Sequence, residues 1–276
     1  MTERNVWITG STGYLGAGFL QYLRLLEINC RPLDFRKSAH MDLCFNKSDI
    51  LFHFGDPSTN DKMLNKELEL EAQELKIQEF LEKTQMRSFY VSSSLVYGLK
   101  DKYDFKTGDS IKPFNAYTRM KARREEVFVS RGAKVLRVSN VYGGVGDSKS
   151  LIIRVIDHYL KGAPFNFLES NGTRDYIFVQ DVYNAFFHSM ESMQDRRKFL
   201  NIGTGKGSSV SKIKDIVEKE LNSQVIRPLK IKFPKATSDR NVLDVSVDYA
   251  PKGWRPQTSL PVGISIEISN RRKYAE

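Results

Sequence analysis

The chain has 276 residues, of which 40% are hydrophobic and 28% charged, and its formal net charge is +10. No apolar run approaches the roughly 18 residues that a membrane-spanning helix needs, and two cysteines are too few for a disulfide framework. The Lys and Arg residues are dispersed and not interleaved with aromatic side chains, which argues against a nucleic-acid partner. We therefore expect a cytoplasmic protein that acts without a membrane or a nucleic acid.

The first half of the chain predicts strands that alternate with helices. Residues 4–9 form a short apolar strand, and a Gly-rich turn leads from it into helical apolar spacing over 14–27. The elements predicted after these are strands at 29–33 and 49–54, a helix at 61–84, a strand at 88–92, a helix at 116–131 and a strand at 133–138. This alternation indicates the α/β class, with a Rossmann-type doubly wound parallel sheet.

The second half of the chain predicts a smaller C-terminal substrate lobe. Helical spacing recurs between loops marked by Gly and Pro, at 149–161, 180–193 and 211–222, whereas the tail 228–276 has little periodicity. We expect residues 1–140 to form the NAD(P)-binding Rossmann part, with 177–202 returning to it. The remaining segments, 141–176 and 203–276, then form the substrate-binding lobe.

Three glycines at spacings of three follow the first strand and open the first helix. In such a turn Gly10 allows the tight bend, Gly13 lets the backbone approach a pyrophosphate, and Gly16 permits close packing of helix on strand. The N-terminus of the helix then faces the negative charge. The residues that we assign to a dinucleotide cofactor are Gly10, Thr12, Gly13, Tyr14, Leu15 and Gly16.

The second predicted strand ends at Asp34, 24 residues beyond Gly10. A carboxylate at this place accepts hydrogen bonds from the adenosine ribose and repels a 2′-phosphate, which favours NAD over NADP. Arg36 and Lys37 follow directly and could instead hold a 2′-phosphate. NAD is therefore the predicted cofactor, and NADP is the alternative.

Tyr117 and Lys121 lie four positions apart on a predicted helix, so their side chains share one face. An ammonium beside a phenol favours the phenolate, which can take a proton from a sugar hydroxyl. Upstream, Ser93 and Ser94 follow the predicted strand at 88–92, at the edge where open α/β sheets bind ligands. We predict a catalytic set of Ser93, Tyr117 and Lys121, with Ser94 as the second choice for the serine.

Taken together, these segments resemble the NAD-dependent epimerase/dehydratase family, a group of extended short-chain dehydrogenases/reductases that modify nucleotide sugars. The matching segments occur in the family's order: TGSTGYLG (9–16), SSSLVYG (92–98), YTRMK (117–121), LRVSNVYG (136–143), GTRDYIFVQDV (172–182), NIGTG (201–205) and GWRP (253–256). The resemblance implies a nucleotide-diphosphate sugar as substrate and a homodimer paired through the helices at about 62–84 and 116–131.

The resemblance also implies roles for single residues. Ser93 corresponds to the family's catalytic Ser or Thr, because it stands three positions before Val-Tyr-Gly. Tyr117 and Lys121 correspond to the family's base and its partner. The contacts implied for the adenosine are Asp34 and the pair Asp42-Leu43, and those implied for the sugar nucleotide are Asn140 and Arg174, beside Ser93 and Ser94.

Three departures from the family pattern narrow the chemistry. Only eight positions separate Asp34 from Asp42, where relatives usually have a full helix. The usual His-Leu-Ala-Ala reads His-Phe-Gly-Asp here, which puts an unexpected carboxylate, Asp56, near the nicotinamide. Ser94 and Leu95 stand where sugar 4,6-dehydratases carry an Asp-Glu pair, and because leucine transfers no proton, dehydration is disfavoured.

The expected reaction is therefore 4-epimerisation of a nucleotide sugar through transient oxidation at C4. A reductase of a nucleotide 4-keto-6-deoxy sugar would use the same residues once and is the alternative. A non-catalytic protein that senses dinucleotides or binds RNA is a third, more remote reading. We expect no metal site, because the four histidines and two cysteines lack the spacing of metal ligands.

Overall fold

A computed structural model describes residues 4–34, 43, 45–56, 67–100, 103–147, 149–165, 171–192, 194–221, 229 and 239–273. The chain divides into two compact units. Unit 1 comprises Met1–Gly98, Ser110–Arg137 and Ser189–Leu200, and unit 2 comprises Leu99–Asp109, Val138–His188 and Asn201–Glu276. Residues 99–109, 138–140, 177–188 and 201–202, which we expected in the Rossmann part, lie in unit 2.

Ten strands and seven helices are defined within the described ranges. The strands are β1 (Val6–Thr9), β2 (Cys30–Leu33), β3 (Ile50–His53), β4 (Arg87–Ser93), β5 (Lys134–Val138), β6 (Asn140–Tyr142), β7 (Thr173–Phe178), β8 (Phe199–Ile202), β9 (Gly207–Ser208) and β10 (Arg240–Asn241). The helices are α1 (Tyr14–Leu25), α2 (Glu67–Thr84), α3 (Ala116–Ser130), α4 (Leu151–Lys161), α5 (Val179–Glu191), α6 (Val210–Leu221) and α7 (Leu260–Lys273).

A six-stranded parallel sheet forms the centre of the Rossmann fold, in the order β2-β1-β3-β4-β5-β8. The register brings the carboxyl ends of neighbouring strands to one level, since Thr9 pairs with both Leu33 and His53. The segments that follow β1, β2 and β3 therefore leave the sheet at one edge, which is where open α/β sheets bind ligands. This architecture confirms the predicted fold class.

The core of unit 1 lies where apolar residues of the strands meet α2 and α3. Its buried members include Trp7 on β1, Leu51 on β3, Tyr90 on β4 and Phe128 on α3. The Trp7 indole N–H donates to the Asp49 carboxylate at 2.9 Å, so the one polar atom of this large side chain is satisfied. These contacts fix α3 against β4 and thereby position the helix that carries Tyr117 and Lys121.

Unit 2 contains a second sheet, in the order β10-β7-β6, with β9 antiparallel to β7. Helices α4, α6 and α7 pack together with this sheet around a core that includes Ile153, Val217 and Ile264. Helix α7 lies in the tail 228–276, where the sequence shows little periodicity and we predicted no element. The buried face of α7 includes Glu267, whose carboxylate accepts a hydrogen bond from the Gly144 N–H at 2.8 Å. Because this charged residue lies on the buried face, the sequence of α7 lacks the regular apolar spacing of an amphipathic helix.

Within the described ranges, no helix is long and apolar enough to cross a bilayer. In the same ranges, His, Cys, Asp and Glu side chains form no group of three that could hold a metal ion.

Candidate active site

The turn between β1 and α1 packs backbone against backbone. Gly10 has a φ of 64°, and a Cβ added there would lie 2.7 Å from the carbonyl group of Phe54. A Cβ on Gly16 would lie 2.3 Å from the carbonyl oxygen of Gly10. Only glycine fits at both positions, because the first turn of α1 lies directly on the loop.

The N-terminus of α1 presents small, accessible residues at this turn. Gly13 is the N-cap residue and supplies no side-chain cap, and both Gly13 and Thr12 are exposed. Tyr14 and Leu15 are half-buried in the first helical turn. A cap position without a side chain, at the positive end of the helix dipole, fits the approach of a pyrophosphate.

Asp34 directly follows β2 and is half-buried. Because Leu33 pairs with Thr9 in the parallel register, Asp34 and Gly10 leave adjacent strands at the same edge of the sheet. Neighbouring strands lie about 4.8 Å apart, so one dinucleotide can reach both residues. Of the other predicted adenosine contacts, Leu43 is 40% exposed, whereas Arg36 and Asp42 lie outside the described residues.

The carboxyl end of β4 carries the two candidate serines. Ser93 is the last residue of the strand and the N-cap of a short 3₁₀ helix, and its hydroxyl accepts the Leu95 N–H at 3.2 Å. Ser93 is half-buried, but Ser94 is only 1% exposed. This difference favours Ser93 as the hydroxyl that a ligand can reach.

Helix α3 begins at a capping box that orders the turn holding Tyr117. The Asn115 side-chain oxygen accepts the Thr118 N–H at 2.8 Å, and the Thr118 hydroxyl accepts the Asn115 N–H at 3.0 Å. Such a reciprocal cap stabilises a helix N-terminus by about 1 kcal/mol. Tyr117 lies inside this capped turn and is half-buried.

One helical turn later, Lys121 is 7% exposed and bonded to the strand on which α3 packs. Its ammonium donates to the Val91 carbonyl oxygen at 2.9 Å, two residues before Ser93. The ammonium also lies 4.9 Å from the centre of the Tyr90 ring. Lys121 is therefore held at the carboxyl end of β4, beside the strand residue that leads to Ser93.

Asp56, the carboxylate that departs from the family pattern, is the buried counter-ion of Lys121. Its side chain is 2% exposed and lies 3.3 Å from the Lys121 ammonium. The Tyr90 hydroxyl donates to the same carboxylate oxygen at 2.7 Å. The second oxygen lies 3.5 Å from His53 Nε2 and 3.7 Å from Arg124 Nε.

The pKa values of this cluster follow from its burial and its charges. Burial alone raises the pKa of Asp56, but the charges of Lys121 and Arg124 and a hydrogen bond from His53 outweigh it, so the net pKa lies well below the usual range. Burial is the largest cause that lowers the pKa of His53, which is therefore neutral at pH 7. Burial and Asp56 raise the pKa of Tyr90 well above 10, so Tyr90 acts only as a hydrogen-bond donor here.

A second buried ion pair, between Arg137 and Glu125, contacts β4 through Ser92. The sequence did not predict this pair. Arg137 on β5 binds the Glu125 carboxylate through Nη2 at 2.6 Å and Nε at 3.0 Å, and both side chains are at most 4% exposed. The Ser92 hydroxyl donates to Glu125 at 2.6 Å. The one signal in the sequence is an arginine inside the apolar run KVLRV, which needs a buried partner that no local pattern names.

The two remaining candidates, Asn140 and Arg174, lie in unit 2. The Asn140 amide donates to the Asp175 carbonyl oxygen at 3.2 Å. The Arg174 guanidinium binds the Asp239 carboxylate at 2.9 Å and also two backbone carbonyls. Arg174 is 21% exposed in its side chain, so part of this cation faces solvent.

A profile of the NAD dependent epimerase/dehydratase family matches residues 6–203, which is more than half of the chain. The chain belongs to this family. The resemblance inferred from the ordered motifs is confirmed, and the glycine turn, Ser93, Tyr117 and Lys121 all lie inside the matched region. The family is NAD-dependent, and the glycine turn of this member has the geometry that a dinucleotide needs.

Relatives within the epimerase/dehydratase family differ in their reactions. A putative UDP-glucose 4-epimerase of Methanocaldococcus jannaschii is 29% identical over 191 residues, which are 66% of this chain and 61% of that protein. The dTDP-4-dehydro-6-deoxyglucose reductase of Escherichia coli is 28% identical over 195 residues, which are 67% of this chain and 60% of that protein. The chain thus spans less than two thirds of either relative.

Solved structures of nucleotide-sugar enzymes share the fold along the whole chain. MoeE5 in complex with UDP-glucose and NAD has a TM-score of 0.84 at 22% identity, and the match covers 99% of this chain and 100% of that one. The UDP-glucose 4-epimerase of Thermotoga maritima with UDP-glucose has a TM-score of 0.78 at 18% identity, with the same coverage. At these identities the likeness shows the fold and not the substrate.

Proposed function

We propose that this chain is an NAD-dependent nucleotide-sugar 4-epimerase with Ser93, Tyr117 and Lys121 as its catalytic set. The position of Lys121 carries the proposal, because its ammonium is bonded to β4 next to the strand end at Ser93 and one helical turn after Tyr117. Proton transfer from a sugar hydroxyl needs a base, a cation near it and a hydroxyl to hold the reacting oxygen. The end of β4 and the helix α3 packed on it would supply all three.

We infer that NAD binds at the glycine turn. Gly10, Gly13 and Gly16 would hold the pyrophosphate against the N-terminus of α1, and Asp34 would accept hydrogen bonds from the adenosine ribose. NADP is the alternative, through Arg36. When bound, the cofactor would supply the acceptor and later the donor of a hydride at sugar C4.

In this proposal Tyr117 takes the proton from the C4 hydroxyl, and Ser93 holds the same oxygen through a hydrogen bond. The 4-keto sugar then turns over, so that a hydride would return to the opposite face of C4 while Tyr117 returns the proton to the C4 oxygen. Asn140 and Arg174 are proposed contacts of the substrate, a nucleotide-diphosphate sugar. The net charge of +10 supports an anionic substrate, because a positive field raises its encounter rate.

A 4-keto-sugar reductase is the second candidate, favoured by the similarity to the reductase of Escherichia coli. Both reactions use the same three residues. They differ in cofactor use, since an epimerase recycles bound NAD whereas a reductase consumes NAD(P)H with each turnover. Purified protein incubated with UDP-glucose, UDP-galactose and a dTDP-4-keto-6-deoxy sugar, with and without NADPH, separates the two.

The variant Tyr117→Phe tests the catalytic set. Removing the proton-transfer group should lower kcat at least about 100-fold while NAD affinity stays within about twofold. Tyr103→Phe is the matched control, because Tyr103 is 76% exposed and should tolerate loss of its hydroxyl without effect. Full turnover in Tyr117→Phe would refute the proposed role of this residue.

The proposal includes a cytoplasmic homodimer paired through α2 and α3. Support for the dimer comes from the family resemblance, and a cysteine content too low for a disulfide framework agrees with the cytoplasm. Leu75 on α2, at 61% exposure, is a residue that a partner on this helix would cover. Light scattering on the purified protein, compared with Leu75→Glu, tests the dimer: the variant should be monomeric.

A further inference from the structure

A cleft of about 360 Å³ opens in unit 1 at the edge of the sheet opposite the proposed catalytic set. It lies where β4 and β5 begin, and the loop 195–198 before β8 forms its other wall. Arg87 begins β4 and Ser93 ends it, so about 20 Å of strand separates the cleft from that serine. The residues assigned above to cofactor, substrate or catalysis do not line this cleft.

Five cations and one carboxylate line the cleft, namely Arg87, Lys134, Arg196, Arg197, Lys198 and Asp195. The carboxylate is already engaged, because Arg197 Nε lies 3.0 Å from both oxygens of Asp195 and Nη2 lies 2.6 Å from one of them. Lys134 also donates to the Asp195 backbone carbonyl. The lining therefore keeps a large excess of positive charge.

Three of these cations line the cleft with no ion pair to another described residue. Across the described ranges, no carboxylate lies within ion-pair distance of Arg87, Arg196 or Lys198. They come from two separate segments, the start of β4 and the loop before β8, and they meet around one concavity. Two of them are guanidinium groups, whose planar fork matches two oxygens of a phosphate.

Lys134 gives the cleft a partly desolvated cation. Its side chain is 16% exposed, and burial lowers its pKa, although the nearby Asp195 opposes that effect. A cation whose charged form is penalised by burial gains stability from an arriving anion. Phe89 and Ala133, which also line the cleft, are buried apolar residues. The charged side chains therefore lie against the apolar core and are not surrounded by water on all sides.

We propose that this cleft is a second anion site, which binds a small molecule carrying a diphosphate or two phosphate groups. A concave volume of about 360 Å³ falls in the range of small-molecule sites, of roughly 300–1,000 Å³. A nucleic acid would need a longer basic stripe with exposed aromatic side chains, and Phe89 in this cleft is buried. The proposal is independent of the epimerase reaction.

Titration calorimetry with inorganic pyrophosphate tests the site, at an ionic strength of 0.15 M and with the protein saturated with NAD. Saturation blocks the glycine turn. The proposed substrate contact at Arg174 is another place where a pyrophosphate can bind, so Arg174→Gln is titrated in parallel and should still bind one equivalent. We expect one equivalent of pyrophosphate to bind, and the double variant Arg196→Gln/Lys198→Gln to bind at least about tenfold more weakly. Arg87→Gln, a substitution on a different element, should weaken binding in the same direction.

The matched control is Lys76→Gln/Lys83→Gln, which removes two charges from exposed positions on α2 in the same unit. This control should bind pyrophosphate within about twofold of the wild type. Equal weakening in both double variants would overturn the proposal, because the general positive field would then account for the binding. Absence of heat at millimolar pyrophosphate, or binding only of a single-stranded RNA oligonucleotide, would also overturn it. NAD affinity and the midpoint of thermal unfolding check that each variant is folded.

Discussion

The substitution Asp56→Asn removes one negative charge from the interior of unit 1 and keeps the size of the side chain. It leaves Lys121, at 3.3 Å, and Arg124, at 3.7 Å, without this counter-ion. Removing one partner of a buried ion pair costs about 3–5 kcal/mol. We expect about 3 kcal/mol, the low end, because Tyr90 can still donate to the amide oxygen and Glu74 remains 3.6 Å from Arg124.

The pH dependence of this loss has a definite sign. The pKa of Asp56 is lower in the folded protein than the value of about 3.9 in an unfolded chain, so the unfolded state binds the proton first as the pH falls. The stabilisation by Asp56 is therefore complete above about pH 5 and decreases at lower pH. The difference between wild type and Asp56→Asn should stay constant from pH 7 to about pH 5 and shrink from there towards about pH 3.

Urea denaturation followed by circular dichroism, at pH 7 and at steps down to the acid limit of folding, measures both effects. Glu82→Gln is the control, because it removes the same charge from an exposed pair with Arg131 in the same unit. Surface pairs of this kind contribute about 0–1 kcal/mol. If Asp56→Asn were as stable as the control at pH 7, Asp56 could not be the ionised counter-ion of Lys121.

Three further predictions concern the cofactor turn and the second buried ion pair. Gly16→Ala should reduce NAD affinity at least about tenfold, because the added methyl group would lie 2.3 Å from the Gly10 carbonyl oxygen, and fluorescence titration measures the change. Glu125→Gln should lower the free energy of unfolding by about 3–5 kcal/mol, because it leaves the buried Arg137 guanidinium without its carboxylate partner, and urea denaturation tests this. Asp34→Asn should weaken NAD and reduce the preference for NAD over NADP about tenfold, as competition binding would show.

Each of these has a contrasting control or outcome. Gly108→Ala introduces a methyl group with no atom within 4 Å, so its stability and NAD affinity should match the wild type. A stable Glu125→Gln protein would mean that water or another group compensates Arg137. If Asp34→Asn kept the preference for NAD over NADP, then Arg36 and its neighbours, and not Asp34, would determine that preference.

The sequence alone was sufficient for the features that depend on local geometry. The glycine turn is one of them, because the bend and the contact of Gly16 with Gly10 are steric requirements within seven residues. The shared face of Tyr117 and Lys121 is another, since a spacing of four fixes it on any helix. The alternation of strands and helices also followed from local periodicity, and the sheet order agrees with the fold class that it predicted.

Only the tertiary structure decided which distant groups meet. Asp56 lies 65 positions from Lys121, and it becomes the counter-ion because β3, β4 and α3 pack together. The basic cleft likewise joins Arg87 to Arg196 through the order of strands in the sheet. Pairings of this kind depend on sheet order and register, which no local pattern of residues specifies, and burial then makes each charge depend on its partner.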